Sequence, residues 1–419
     1  MLICLRIKRV VYMQIHNEKL LENFYSKDKL NVAIVTDIFF PTFGGVSFVV
    51  DNLAKAFMAS GKVNVAVFTG AVKGYQDNAP YPVIRAKSFP IPKSWGDSQP
   101  VPAIDKKLKK LIEKMQIDVV DVHSVWGMST FFMKYAKKNG LPIVYHGHGM
   151  FDSEYPTYIK FKPICKNLVK RGYKIVNKAD LVMPVSNITK ENYRKNGVDR
   201  PMQVLPNATD MTESIDISIA NKIIYEKHGI SDSFNNVFVF ASRLEMECKN
   251  IGFLLESLKA IKEAGVQFKM LIVGGGKDKD NIVNLAEELG IINDIVMAGE
   301  VFDRDLLKCY YRRADLHLFP SVKDSCALTK FEAASQFTPT IAIENTGVSE
   351  EINDGINGYI SANNVKDYSS KIISAITDRE RLKEISHMAN KTLVKSWNAS
   401  AQTCIEQYYR LLEEHKKNK

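Results

Sequence analysis

Short apolar runs alternate with longer stretches in which apolar residues recur every three or four positions, and this alternation carries most of the chain. Residues 30–37 read as a buried strand. The loop 39–46, with Gly44 and Gly45 in it, leads into a helix over roughly 46–60 whose apolar face is Val46, Val49, Val50, Leu53, Ala54 and Phe57. A second strand follows at 63–68. Strand, glycine loop, helix, strand is the opening of a parallel α/β sheet. Further strands are predicted at 118–123, at 141–150 (ending in a His-Gly-His-Gly loop) and at 179–186. The pattern then begins again with a strand at 237–241 and a helix from Lys249-Asn250, apolar at Ile251, Leu254, Leu255, Leu258 and Ile261. Strands at 269–276, 295–301, 314–320 and 338–343 follow, and a helix at 397–409 closes the series. The predicted fold class is α/β, with two doubly wound sheets in succession.

Composition narrows this little. At 419 residues the chain can bury two full cores, and 45% hydrophobic with 25% charged content is ordinary for a globular protein. No apolar run reaches the length of a membrane span. The N-terminal apolar run is broken by Arg6, Lys8 and Arg9, too early for a signal peptide. Residues 1–30 read as an extension before the first domain strand, and Met13 is a second candidate start. The six cysteines (Cys4, Cys165, Cys248, Cys309, Cys326, Cys404) form no C-x-x-C pair. That argues against a zinc site or disulfide framework and suits a reducing cytoplasm.

Charge adds a location. Residues 101–200 hold 19 Lys/Arg against 9 Asp/Glu, which accounts for the whole net charge of +10. Within them Lys166, Lys170, Lys174 and Lys178 recur every four residues as one helical stripe, beside Tyr158, Phe161, Ile164, Leu168 and Tyr173. A solvated helix face has this composition, and so has a face resting on anionic lipid. The expected place is the cytoplasm, with peripheral contact at the inner face of the membrane. No nucleic-acid partner is expected, since no recognition module accompanies the basic residues.

The candidate chemistry lies at strand ends. After the strand at 314–320, closed by Pro320, Leu328, Phe331, Ala334 and Phe337 recur at helical spacing. Asp324 therefore sits in a strand-to-helix loop and Glu332 about a turn and a half into the helix. Between them Ser325, Cys326 and Ala327 lead to a helix start at Leu328 and Thr329, whose unpaired N–H groups favour a phosphate. Acid–x7–acid pairs also occur by chance on solvated faces. Two carboxylates flanking an anion site, however, suit a ligand with a phosphate centre and hydroxyls on either side, which is the shape of a nucleotide sugar. Arg243 and Lys249, at a strand end and a helix start, can hold a diphosphate by charge-assisted hydrogen bonds. Gly44 and Gly45 permit close approach of backbone to phosphate.

His123, His146 and His148 fall at the C-terminal ends of two successive strands, the edge where open α/β sheets bind ligands. Without Cys or Glu partners at ligand spacing, no metal is expected there. Gly274-Gly275-Gly276 lacks the G-x-G-x-x-G spacing of a dinucleotide site. The D-x-D matches at 278–280 and 303–305 have basic middle residues and begin helices, where acids serve the helix dipole.

The 324–332 stretch resembles the signature of the retaining, family-4 glycosyltransferases of the GT-B type, usually Glu-x7-Glu with Phe-Gly-Leu after the first acid. Here Asp324 is the first acid, and Cys326-Ala327-Leu328 stands for Phe-Gly-Leu. Other motifs of that family are matched in order by Gly44-Gly45, His148-Gly149, residues 206–210, Arg243-Leu244 with Lys249-Asn250, and Asp354-Gly355 with Gly358. The resemblance spans residues 31–410. It implies an acceptor domain at 31–205, a nucleotide-sugar domain at 206–395, a C-terminal helix at 396–419 crossing back, and a cleft faced by two Rossmann-like domains. It also implies that Glu332 takes the ribose hydroxyls, and that Arg243, Lys249 and the backbone of Cys326, Ala327, Leu328 and Thr329 hold the diphosphate. Gly274 and Val301 would lie against the base, Asp324 would orient the sugar, and His148 (with His146 as second candidate) would contact it, without metal or cofactor. The implied acceptor is a glycan or lipid-linked sugar, as in bacterial surface polysaccharide or glycolipid synthesis. A non-catalytic subunit of the same fold, binding a glycan or protein, is the alternative that the altered Asp324–Ala327 segment favours and the retained Arg243, Lys249 and Glu332 disfavour. A phosphorolysing or epimerising enzyme on this fold is a further one, though no lysine motif for pyridoxal phosphate is present.

Overall fold

The structure, a computed structural model, describes residues 12–25, 28–42, 44–89, 101–102 and 104–417. Cys4, Phe43 and the run ahead of Tyr12 lie outside the described residues. The chain forms two compact units, one of residues up to Pro206 together with those from Trp397 onward, the other Asn207–Ser396. Among the described residues no helix is long and apolar enough to cross a membrane.

The first unit is built on strands β1 (Gln14–His16), β2 (Leu30–Val35), β3 (Val63–Gly70) and β4 (Val83–Ala86), a small pair β5 (Ser88–Phe89) and β6 (Val101–Pro102), then β7 (Val119–Val122), β8 (Ile143–Gly147) and β9 (Leu181–Pro184). Its main sheet runs β1-β4-β3-β2-β7-β8-β9, parallel except for β1. Every residue of β2 and β3 is buried, because helices cover both faces of such a sheet. The chain winds outward from β2 through β3 and β4, then from β7 through β8 and β9, so the order reverses between β2 and β7. That reversal is where a doubly wound sheet opens a crevice at its carboxyl edge.

Residues 14–25 are part of this unit and not an extension ahead of it. Gln14 pairs with Arg85 and His16 with Val83, and Leu21 and Phe24 enter the core. The strand β4 escapes an apolar-run reading because it carries Arg85, which is 1% exposed. Arg85 survives burial through two bonds to Asp77 and donations to the carbonyls of Gly70 and Phe40. It thereby ties β4 to the loop that follows β2.

The second unit contains β10 (Val237–Ala241), β11 (Lys269–Val273), β12 (Ile295–Gly299), β13 (Leu316–Phe319), β14 (Thr340–Ile343) and β15 (Tyr359–Ser361). The sheet runs β12-β11-β10-β13-β14-β15, parallel throughout. Its order reverses between β10 and β13. The two apolar clusters that cover its faces are built from alternate strand residues, Phe238 and Phe240 on one side and Val237, Val239 and Ala241 on the other.

Candidate active site

The loops that leave β10 and β13 flank the reversal of the second sheet, and they carry the residues singled out for a diphosphate. Arg243 follows β10 and pairs with Glu245 at 3.0 Å. The chain then makes one helical turn, Met246–Lys249, and passes through Asn250 at φ 55° before the long helix Ile251–Glu263. A left-handed residue there explains why asparagine stands where the resembled motif has glycine, since Asn tolerates that conformation best after Gly. The turn aims Lys249 at Asp324, to which its ammonium donates at 2.7 and 2.8 Å. Ser321 donates to the carbonyl of Cys248, fastening the same two loops.

Beyond Asp324 the helix Leu328–Ser335 begins without any side-chain cap at Ala327. Its first N–H groups are those that the pattern predicts as an anion site. Two hydroxyls, Ser325 Oγ and Thr329 Oγ1, are buried beside it with no hydrogen-bond partner among the described residues. Unpaired buried hydroxyls are costly and rare, and next to an uncapped helix start they suit the oxygens of a bound oxyanion. Gly347 packs onto the carbonyl of Ser325 so closely that a Cβ would overlap it. Lys330, wholly buried, donates to the carbonyls of Val348 and Glu350 and fixes that covering loop.

Glu332, on the same helix, is 7% exposed. One of its oxygens accepts from Arg304 at 2.8 Å and the other from the Tyr311 hydroxyl at 3.0 Å. Arg304 also bonds Asp210 through Nε at 3.1 Å and through its second nitrogen. Burial works against the guanidinium's charge, but Glu332 and Asp210 raise its pKa nonetheless. Burial, reinforced by Glu332, likewise pushes the Tyr311 hydroxyl well up, so it stays a donor. Each carboxylate oxygen keeps a further lone pair for a ligand.

In the first unit Asp121 (in β7), His123 (just after it) and His146 (in β8) form a buried cluster. Asp121 Oδ1 lies 3.2 Å from His146 Nε2 and Oδ2 lies 3.6 Å from His123 Nε2, and Tyr408 donates to Oδ2 at 2.5 Å. His123 Nδ1 is 2.9 Å from His148 Nε2. Donor atoms within 4.8 Å of one another are spaced as a metal would need. The rings of His123 and His146, however, are stacked at 4.5 Å with planes 6° apart. An ion bonds imidazole in the ring plane, and two separate parallel planes share no such position. His123 to His148 and Tyr408 to Asp121 are hydrogen bonds, whereas His123 Nε2, His146 Nε2 and Asp121 Oδ1 have no hydrogen-bond partner among the described residues. Asp121, two residues before His123, is the acidic partner that ligand spacing alone did not disclose.

Residues 43–213 match the model of Glycosyltransferase Family 4, and residues 223–392 match that of the Glycosyl transferases group 1. The chain belongs to the group 1, family 4 glycosyltransferases. It is similar to the alpha-monoglucosyldiacylglycerol synthase of Streptococcus pneumoniae, 22% identical over 338 residues that cover 79% of this chain and 75% of that one. Among solved structures, the sucrose-phosphate synthase of Thermosynechococcus elongatus superposes with a TM-score of 0.74 at 16% identity, covering 92% of this chain and all of that one. HepE of Anabaena, in complex with UDP and glucose, gives 0.69 at 18% identity, over 91% of this chain and all of that one. The fold of this glycosyltransferase is GT-B.

The second unit brings Lys249 into contact with Asp324 and sets both beside Cys326, Ala327, Leu328 and Thr329. Cys326 is a backbone participant, its carbonyl taken by Asn207 at 2.8 Å. Burial pushes its thiol up to about 11, so it carries no thiolate at neutral pH. Gly274, expected against the base, also has a local packing role. At φ 138° it packs onto the carbonyl of Ser242, where a Cβ would overlap, and so supports the Arg243 loop. Val301 packs at the edge of the apolar cluster that holds Leu271 and Val273. In the first unit Gly44 and Gly45 open the helix Gly45–Ala59 with no positive φ and open space where a Cβ would go, so the chain itself does not require glycine there. Pattern reading passed over Arg304 as the middle of a D-x-D match. It also missed Tyr311, Lys330 and Gly347. Asp303 of that match caps its helix, accepting from the amides of Asp305 and Leu306.

Proposed function

We propose that this glycosyltransferase moves a sugar, with retention, from a nucleotide-diphosphate sugar to a glycan or lipid-linked acceptor. The observation that carries the donor assignment is the uncapped helix start at Leu328 with the unpaired Ser325 and Thr329 hydroxyls, set against the Lys249–Asp324 pair at a sheet reversal. In the reaction the sugar C1–O bond to the diphosphate breaks, and the nucleoside diphosphate leaves with the bonding electrons. The acceptor oxygen bonds C1, and its proton passes to the departing diphosphate oxygen. Arg243, Lys249 and the helix N–H groups stabilise the charge gathering on the leaving oxygen. Lys249 has three donors, so it can turn from Asp324 towards phosphate while Asp324 accepts sugar hydroxyls. Glu332, held by Arg304 and Tyr311, takes the ribose hydroxyls, and His148 meets a hydroxyl of the sugar. The glycolipid synthase and the UDP complex among the similar proteins support a nucleotide donor and a lipid-linked acceptor.

Calorimetry with UDP and GDP, with and without Mg²⁺, tests the donor site. One nucleotide is expected to bind at micromolar concentration without metal and to lose that binding in Glu332→Ala. Failure of both nucleotides to bind would overturn the reading.

A further inference from the structure

The histidine array has an order that follows from where its protons must lie. Asp121 is fully buried, and its carboxylate faces Nε2 of both His146 and His123 at 3.2 and 3.6 Å. Burial opposes its ionisation, but the facing imidazoles of His146 and His123 outweigh burial and hold it well below the usual carboxylate range. The Tyr408 hydroxyl, which burial keeps protonated, donates to Oδ2, the same oxygen that lies nearer His123. Neither contact is a hydrogen bond, yet a bare lone pair on Nε2 this close to a buried anion would be repelled, so each ring carries its proton there. Neutral His123 then has a bare Nδ1, and this faces His148 Nε2 at 2.9 Å. Two nitrogens at that distance need one proton between them, and only His148 can supply it. Desolvation by burial holds both His123 and His148 below their ordinary pKa, so a third proton is not available at neutral pH.

We infer that Asp121 and His123 are a positioning pair that locks His148 in its Nε2–H tautomer and presents its Nδ1 as a bare acceptor. Nδ1 has no partner among the described residues, and His148 is partly exposed at the carboxyl edge of β8. A site of this kind accepts an O–H from a substrate and gives no hydrogen bond to an oxyanion. It therefore recognises a hydroxyl donor, and the diphosphate is left to the second unit's cations and helix start. The catalytic consequence rests on the reading of His148 as a ligand of the sugar, whereas the tautomer does not.

The experiment is ¹⁵N NMR of the full chain labelled at its eight histidines, assigned by single substitutions. His123 and His148 are expected wholly as Nε2–H, with a scalar coupling between His148 Nε2 and His123 Nδ1 across their hydrogen bond. A mixture of tautomers at His148, or Nδ1–H there, would overturn the inference in the wild-type chain alone. Asp121→Asn removes the charge that orders the array. His148 is expected to become a mixture, and kcat/KM to fall by about 10²-fold, the scale of losing one well-placed hydrogen bond in a transition state. Nucleotide affinity by calorimetry is expected to stay unchanged. A His148 that stays wholly Nε2–H in Asp121→Asn sinks the role of Asp121. Absence of nucleotide binding in the wild type would sink the donor assignment and leave the tautomer result standing.

Discussion

A buried carboxylate keeps its charge only beside a partner, and Glu332 has Arg304 and Tyr311, one to each oxygen. Arg304→Ala would leave Glu332 with the phenol alone. The loss is expected to cost the second unit about 2–3 kcal/mol, the range for a hydrogen-bonded charge that loses its partner. Pairing it with Glu332→Gln removes the stranded charge as well, so the double variant should be less destabilised than the sum of the singles by about 1–3 kcal/mol. Denaturant melts of the four proteins measure that coupling, and a value near zero would mean that Arg304 does not hold Glu332. The acid at 332 was legible because it stands at fixed spacing from Asp324. Its cation was not, since Arg304 is 28 residues away and reaches it only through the packing of two helices. Gly347 and Lys330 escaped for a related reason, because their contacts run to loop carbonyls, which no residue pattern encodes.

Elements were legible where periodicity and burial agree. The strand expected at 237–241 is β10 as found, the one at 63–68 extends to Val63–Gly70, and the others shrink at their polar ends, as 118–123 does to Val119–Val122. His123, at one of those ends, leaves the ladder to join the buried histidine cluster. The basic helix runs Lys162–Val176, so Lys178 falls beyond it, and Tyr173 of the expected apolar fringe is core. Short β4 and β1 were missed because Arg85 and His16 break the apolar run. Polarity inside an element has its own cost. His317 in β13 is wholly buried, and burial alone lowers its pKa to about 3. Below the unfolded value of about 6.5 the unfolded chain binds a proton that the native strand refuses, so stability falls with pH from there down to the folded pKa. Above pH 6.5 this proton-linked loss is absent. At pH 5 the difference is about 2 kcal/mol at 1.4 kcal/mol per unit. Urea melts at pH 7 and pH 5 should show that loss in the second unit, and His317→Gln should lessen it. The same slope in parent and variant would refute the assignment.

At the scale of the molecule, contacts far apart in sequence complete the first unit. Tyr408 reaches Asp121 across 287 residues, and the helix Trp397–Lys417 packs on Gly45–Ala59. Two doubly wound sheets could be read from alternating patterns, but such closures could not, because the last helix is an ordinary amphipathic one until its partner is known. The surface poses the opposite problem, since its charge was legible and its purpose was not. Lys166, Lys170 and Lys174 stand exposed on one helix, with Phe161 (64% exposed) and Ile164 (54%) at its start. Cations beside exposed apolar side chains match a membrane surface better than plain solvent, because the apolar groups gain burial while the cations meet phosphate. Each lysine near an anionic surface contributes about 1 kcal/mol, so replacing all three by alanine should lower partition onto anionic vesicles by roughly 10²-fold. Binding should weaken as salt shortens the Debye length. The comparison that isolates the helix is the triple alanine variant of Lys366, Lys383 and Lys391, exposed lysines of the second unit with the same total charge. Sedimentation with vesicles of anionic and of neutral lipid should show loss for the first triple and retention for the second. Equal loss in both would reduce the effect to net charge, and no binding by the parent chain at moderate salt would remove the membrane from the account.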